Sequence, residues 1–118
     1  MPSWRIDHIS AVTLAVRDMT ESVAFYTRLG FEVEYGGANA PFTTMRAGQS
    51  VINLREAPVS AGHSGTRVIL RVHGVDALQR NLVERGLAPD QPKDADWGER
   101  YFEVSDPQGV VISFAELL

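Results

Sequence analysis

A repeat at a fixed interval is the feature that most limits how this chain can fold. Pairs of identical residues lie 56 positions apart, among them Leu14 and Leu70, Val16 and Val72, and Gly30 and Gly86. In each copy, apolar residues alternate with other residues, as expected of a strand with one buried face. Apolar residues at helical spacing follow, and a glycine placed to end the helix closes each copy. The sequence therefore predicts two copies of a module that begins with a β-α unit.

The first helix carries clear start and stop signals. Asp18 is placed to cap its N-terminus, and Glu21 three residues later completes a capping-box pattern. Gly30 is placed to end the helix in a left-handed conformation. Tyr26 lies on the apolar side of this helix, so we expect it in the core rather than in a site.

Alternating segments predict the other strands. They cover residues 31–35, 42–46 and 50–55 in the first copy, and 67–72, 87–90, 100–105 and 110–115 in the second, whose helix covers 75–85. Residues 57–65 have linker composition. We therefore predict an α+β protein, a single domain of two tandem βαβββ modules at about 10–56 and 66–116.

Composition excludes several classes of function. The chain of 118 residues has no cysteine, so it has no disulfide and no cysteine metal site. Its net charge of −4 argues against nucleic-acid binding, which needs a basic surface. No stretch is long and apolar enough to cross a membrane, and the N-terminus does not resemble an export signal. We expect a cytoplasmic location.

Two motifs, together with the repeat, resemble a known family. Asp18 followed by AFYTRLGF at 24–31 is the first motif, and WGERYF at 97–102 followed by DPQG at 106–109 is the second. They resemble the vicinal oxygen chelate superfamily, which includes glyoxalase I, extradiol dioxygenases, fosfomycin resistance proteins and bleomycin resistance proteins. The resemblance covers nearly the whole chain. It implies the glyoxalase/bleomycin resistance fold, in which the two modules form a cupped mixed sheet around a pocket.

The resemblance also implies where a metal site would be. Enzymes of this superfamily hold a divalent ion on the first and last strands of each module, at positions that fall here on Ala11, Asn53, Arg67 and Ser113. None of these is His, Asp, Glu or Gln, and an arginine would place a fixed positive charge beside the ion. We therefore predict no metal and no other cofactor.

Histidines outside these positions leave one alternative open. His8 lies an odd number of residues before Ala11, so in a regular strand it points to the opposite face. A bulge would restore it, with Glu103 as a second ligand. His63 in the linker and His73 after a strand are expected at the surface.

Strand alternation separates the predicted core from the predicted cup lining. The core residues are Val12, Leu14, Val16, Val68, Leu70, Val72, Phe102, Val104, Ile112 and Phe114. The candidate ligand-binding residues are Thr13, Asn53, Arg55, Arg67, Arg71, Tyr101, Glu103 and Ser113, with Trp97 and Phe42 on loops or walls beside them.

The charged and aromatic candidates each have two interpretations. Arg67 and Arg71 are suited to a carboxylate or polar oxygen of a ligand, or they form a salt bridge with Glu103 and have no ligand role. Trp97 offers a stacking surface for a planar ligand, or it covers the core beneath its loop.

Three functions are compatible with these residues. The first is a metal-independent small-molecule binding protein of the bleomycin resistance type, whose ligand is an antibiotic or another planar natural product. The second is a lyase, isomerase or dioxygenase of the same superfamily with a displaced or absent metal site, in which Glu103 is the candidate catalytic base. The third is a protein that acts only through dimerisation. In each case we expect a homodimer, with Trp4 and Ile6 on a segment able to cross to a partner.

Overall fold

Two four-stranded sheets, each accompanied by one helix, make up the fold. The computed structural model describes residues 3–60, 62 and 64–118. The first half contains β1 (Val12–Val16), α1 (Met19–Leu29), β2 (Glu32–Tyr35), β3 (Phe42–Ala47) and β4 (Ser50–Glu56). The second half contains β5 (Arg67–Arg71), α2 (Val75–Glu84), β6 (Lys93–Asp94), β7 (Glu99–Ser105) and β8 (Val111–Leu117).

The two sheets have the same strand order. Sheet A runs β1-β4-β3-β2 and sheet B runs β5-β8-β7-β6. In each, the first strand pairs with the last in parallel, and the other pairs are antiparallel. The α+β fold of two βαβββ units predicted from the repeat is therefore confirmed. Among the described residues, no helix is long and apolar enough to cross a membrane.

The two helices begin in different ways. In α1, the Asp18 carboxylate accepts a hydrogen bond from the backbone N–H of Glu21 at 3.2 Å, and Gly30 ends the helix at φ 112°, both as predicted. Gly74 precedes α2 and has no side chain to offer as a cap. Glu116 of β8 supplies it, accepting from the N–H groups of Val75 at 3.0 Å and Gly74 at 2.9 Å. These two donors hold the pKa of the Glu116 carboxyl below its usual range.

The strand predicted at 87–90 is wrong. Leu87 donates its backbone N–H back to Leu82 and closes the end of α2. In the following stretch Pro89 and Pro92 have no N–H to give to a sheet. Of residues 87–92, only Asp90 bonds to β7. Its N–H donates to the carbonyl of Glu103, and its carboxylate accepts from the N–H of Glu103. The outer strand of sheet B is therefore the short β6.

The predicted core is confirmed. Leu14, Val16, Phe102, Val104, Ile112 and Phe114 are buried, and Val12, Val68, Leu70 and Val72 are partly buried against the same cluster. That cluster also contains the apolar side of α1 and the inner face of β3 and β4, so both halves share one core. Tyr26, which we placed in the core, is 0% exposed.

Three hydrogen bonds join the turn at 106–109 to the first half and the linker. The Tyr26 hydroxyl donates to the Asp106 carboxylate at 2.6 Å. The Gln108 side chain accepts from the backbone N–H of Arg17 at 3.1 Å and donates to the carbonyl of Ser60 at 2.8 Å. Burial and, after it, the negative charge of Asp106 raise the pKa of Tyr26 well above its ordinary value. The first half therefore holds the β7–β8 turn of the second.

We predict that Tyr26→Phe lowers the free energy of unfolding by about 2 kcal/mol at pH 7, because it leaves a buried carboxylate oxygen without its donor. At pH 11 the cost should shrink by roughly 1.4 kcal/mol, since an ordinary tyrosine with pKa near 10 ionises in the unfolded wild type and the buried Tyr26 does not. Urea unfolding at both pH values measures the difference. Tyr35→Phe, at a side chain 68% exposed, is the control. A Tyr26→Phe cost no larger than that of the control would contradict the assigned role.

Candidate functional site

The residues predicted to bind a ligand lie on the sheet faces turned away from the core, which we call the open faces. Thr13, Phe42, Asn53 and Arg55 belong to sheet A, and Arg67, Arg71, Tyr101, Glu103 and Ser113 belong to sheet B, with Trp97 in the turn before β7. The family resemblance implies one shared pocket, whereas no hydrogen bond or ion pair between described residues joins the two groups. The structure brings the residues of each sheet together separately.

On the open face of sheet A, three polar side chains bond to one another across neighbouring strands. Asn53 lies opposite Thr13 on one side and Thr44 on the other. Its carbonyl accepts from the Thr44 hydroxyl at 2.8 Å, and its amide donates to the Thr13 hydroxyl at 3.3 Å. Arg55 and Phe42 are partners in the next row of the sheet. This face is polar and largely satisfied by its own hydrogen bonds.

On the open face of sheet B, each carboxylate is paired with an arginine. Glu103 forms an ion pair with Arg67, which also donates to the Ser113 hydroxyl at 3.5 Å. Glu99 accepts from Arg71 at 3.1 Å. The salt bridge between Arg67 and Glu103, one of the two interpretations of these residues, is therefore present in the structure. Arg71 pairs instead with Glu99, a residue that the sequence did not single out.

Trp97 stands on this face and does not cover the core. Its indole is 67% exposed, and its ring centroid lies 5.7 Å from that of Tyr101. The indole N–H donates to the second oxygen of Glu99 at 2.7 Å, so one carboxylate binds both Trp97 and Arg71. A hydrogen bond to an ionised acceptor is stronger than one between neutral groups. The exposed ring is therefore held in one orientation.

Two cations lie beside Tyr101, the neighbour of Trp97. The Arg67 guanidinium carbon is 6.0 Å from the tyrosine ring centroid, and the Lys93 ammonium nitrogen is 5.1 Å from it. Lys93 reaches the ring because β6 places it directly opposite Tyr101. Cations at this range are attracted to an aromatic face.

A cleft of about 390 Å³ lies among these groups. It is lined by Arg67, Ile69, Trp97, Glu99, Tyr101, Ser113 and Ala115. Ile69 is 61% exposed and adds apolar surface to the two aromatic rings. A larger cleft of about 580 Å³, near Phe25 and Leu87, includes Glu103 but none of the other predicted ligand-binding residues. The smaller cleft is the candidate site because it combines aromatic surface with charged groups of both signs.

The side chains at the four family metal positions do not fit a divalent ion. Ala11 and Arg67 line the same groove between the edges of the two sheets and supply a methyl group and a guanidinium. Asn53 is bonded to two threonines, and Ser113 lies against Arg67. A transition-metal ion is usually held by imidazole or carboxylate groups, and none of these four positions supplies either.

The histidines do not supply the missing donors. His8 lies in the exposed segment before β1, and His73 is exposed after β5. His63 lies outside the described residues. Within the described part of the chain, no three His, Asp or Glu side chains are grouped so that they could hold an ion. Glu103, the other ligand of the His8 alternative, is paired with Arg67.

Sequence reasoning missed Glu99, Lys93 and Thr44. Glu99 continues the alternation of Tyr101 and Glu103 along β7, so extending that strand by one residue would have found it. Lys93 had no such signal, because the outer strand was predicted at 87–90. Thr44 lies two residues after the candidate Phe42 on β3, so the alternation of that strand would have found it as well.

Comparison with known proteins identifies the family. A model of the glyoxalase/bleomycin resistance protein/dioxygenase superfamily matches residues 5–114. A search of curated proteins found no match to this chain.

Solved structures of similar fold include proteins that bind antibiotics. The antibiotic binding protein TnmS3 from Streptomyces sp. CB03234 is 29% identical, with a TM-score of 0.79, over 98% of this chain and 99% of that chain. A bleomycin-binding protein solved with bleomycin is 20% identical, with a TM-score of 0.80, over 96% and 100%. A bleomycin resistance determinant encoded on the transposon Tn5 is also 20% identical, with a TM-score of 0.80, over 94% and 98%. At 20% identity the likeness concerns the fold alone.

We predict that Glu99→Ala frees the Trp97 indole, because it removes the only acceptor that the described residues offer to the indole N–H. In a Trp4→Phe background Trp97 is the single tryptophan, so its steady-state fluorescence anisotropy should fall. Glu99→Gln keeps an acceptor oxygen and should change the anisotropy less, and Arg71→Ala, which breaks only the ion pair, should leave it nearly unchanged. An unaltered anisotropy in Glu99→Ala would contradict the assigned bond.

Proposed function

The chain belongs to the glyoxalase/bleomycin resistance protein/dioxygenase superfamily, and we propose that it is a metal-independent binding protein for planar aromatic small molecules of the antibiotic type. The ligand occupies the open face of sheet B. Its ring stacks on Trp97 and Tyr101, and its polar groups meet the charged residues of that face.

This proposal rests on the indole of Trp97, which is exposed and yet fixed by a hydrogen bond. Ordering an exposed side chain costs conformational entropy, and Trp97 is ordered by its hydrogen bond to Glu99 while most of its surface stays open. A ring that is already oriented loses little freedom when a ligand stacks on it. The preformed cleft beside it adds apolar surface from Ile69 and Tyr101.

Metal independence is supported by the donor set and not by any missing ion. The positions that would hold a metal carry Ala11, Asn53, Arg67 and Ser113, and the guanidinium of Arg67 would repel a divalent cation. Arg67 is also engaged by Glu103 and Ser113. The ligand therefore binds directly to protein groups.

The similarity to an antibiotic binding protein at 29% identity supports the class of ligand. Bleomycin itself is not carried over, since the two bleomycin-related structures share only the fold. The arginines of this face would also oppose a strongly cationic drug.

An enzyme in which Glu103 acts as a base has less support. A general base must be free to accept a proton from the substrate, and the Glu103 carboxylate is ion-paired with Arg67. Measuring turnover and affinity in Glu103→Gln separates the two functions, because a binder changes only its affinity.

We also propose that the protein is a homodimer. The segment before β1 exposes three large apolar side chains, with Trp4 at 70%, Ile6 at 86% and Ile9 at 79%. These residues lie outside the shared core and offer a surface that a second chain can cover. The cytoplasmic location stays a prediction from the sequence, and the binding proposal does not depend on it.

We predict that Trp97→Ala weakens the binding of a planar test ligand such as phenazine by at least about tenfold, the effect of losing one aromatic stacking partner. Isothermal titration calorimetry measures the affinity. Tyr35→Ala removes an exposed aromatic side chain that does not line the cleft and is the matched control. An affinity of Trp97→Ala equal to that of the wild type would show that the indole does not bind the ligand.

For the dimer, light scattering after gel filtration should give twice the chain mass of 13.0 kDa. Replacing Trp4 and Ile6 with serine should shift the equilibrium towards the monomer, since it removes apolar area that a partner covers. Val83→Ser, at an exposed residue of α2, is the control. A wild-type protein that stays monomeric at high concentration would contradict the proposal.

A further inference from the structure

We infer that the ligand on the open face of sheet B carries an acidic oxygen group, a carboxylate or a phenolate, and that Lys93 and Arg67 receive this group beside the ring of Tyr101. The inference rests on the proposed binding function and adds the charge class of the ligand.

The charge on this face is opposite to that of the protein as a whole. The chain has a net charge of −4, yet the open face of sheet B carries three cations and two carboxylates. The cations are Arg67, Arg71 and Lys93, and the carboxylates are Glu99 and Glu103. A local excess of positive charge on an acidic protein attracts an anionic ligand and directs it to this face.

Both carboxylates of this face already have partners within the protein. Glu103 is paired with Arg67, and the two oxygens of Glu99 bind Arg71 and the Trp97 indole. A cationic ligand would have to break one of these pairs to find a partner. Binding of a cation would therefore leave an arginine without its counter-ion, which costs free energy near an apolar surface.

Lys93 is the cation that remains available. In the salt bridges formed by the described residues, Lys93 takes part in none. Its ammonium group sits 5.1 Å from the centroid of the Tyr101 ring. Asp94, the next residue of β6, pairs with Arg100 and does not neutralise it.

Lys93, Arg67 and the indole of Trp97 all lie close to one aromatic ring, that of Tyr101. Their distances to the Tyr101 centroid are 5.1, 6.0 and 5.7 Å. A planar ligand that stacks on Trp97 thus brings a substituent on its edge close to two cations. An anionic oxygen there would form charge-assisted hydrogen bonds and reduce the repulsion between the two cations.

Three planar probes of similar size separate charge from stacking. They are phenazine, which is neutral, phenazine-1-carboxylate, an anion at pH 7.5, and 5-methylphenazinium, a cation. The Nε1–H signal of Trp97 in the ¹H–¹⁵N spectrum reports binding at this face, and Trp4→Phe makes it the only indole signal. We expect phenazine-1-carboxylate to bind at least about tenfold more tightly than phenazine, as one charge-assisted contact provides. The phenazinium should bind more weakly than either.

Lys93 can be tested on its own because it is the only lysine of the chain. Lys93→Met should abolish the preference for the carboxylate and leave the affinity for phenazine unchanged, whereas Lys93→Arg should keep the preference. Arg80→Met, which removes an exposed cation from α2, is the matched control. Reductive methylation with ¹³C-formaldehyde retains the charge of Lys93 and adds a second reporter, which should shift with phenazine-1-carboxylate and not with phenazine.

The outcomes distinguish this inference from the function on which it rests. Equal binding of all three probes, or a carboxylate preference that survives Lys93→Met, would contradict the inference that Lys93 receives an anionic group of the ligand. Either result would leave the proposed binding function intact. A Trp97 signal that none of the probes moves overturns the binding function at this face, and the inference with it.

Discussion

The alternation of side chains along β7 is the constraint on which the candidate site depends. Phe102 and Val104 point into the shared core, so the residues between them must point to the open face. Burial of the two apolar residues fixes the register of the strand, since a shift by one residue would exchange the faces. Glu99, Tyr101 and Glu103 therefore form one column. Arg67 and Arg71 form ion pairs with its carboxylates, and Lys93 lies beside its aromatic ring.

The pairing of β7 with its neighbours turns this column into a site. On one side, β8 and β5 bring Ser113 and Arg67 towards Glu103. On the other, β6 brings Lys93 opposite Tyr101. The Tyr26–Asp106 bond and the contacts of Gln108 anchor the end of the same hairpin to the first half of the chain. The β7–β8 hairpin that forms the open face is thus fixed on its buried side by the core and at its turn by hydrogen bonds.

The fold and the core were predictable from the sequence because they depend on local patterns. The Asp18 cap, the Gly30 terminator and the alternation of Phe102 and Val104 each appear within a few residues, and the repeat shows that the second half follows the same local pattern as the first. All were observed as expected. The pairs within the site were harder to predict, because they depend on register between strands that are distant in sequence. Glu99 and Lys93 show this. Glu99 bonds to Arg71 on β5 and to Trp97 in a turn, and Lys93 lies opposite Tyr101 on β7. The strand that carries Lys93 was not predicted, because the outer strand was placed in the proline-containing stretch before it.

The proposed function departs from that of the metal-dependent members of the superfamily at one place. At the four positions where these members hold a metal, this chain has no imidazole or carboxylate, and two of the four are the methyl group of Ala11 and the paired guanidinium of Arg67. Calorimetric titration of phenazine-1-carboxylate into protein dialysed against EDTA, and then into the same protein with added Zn²⁺ or Mn²⁺, tests this most directly. We expect the ligand to bind with the same affinity in each case. Binding that disappears in EDTA and returns with either ion would contradict the proposal of a metal-independent site.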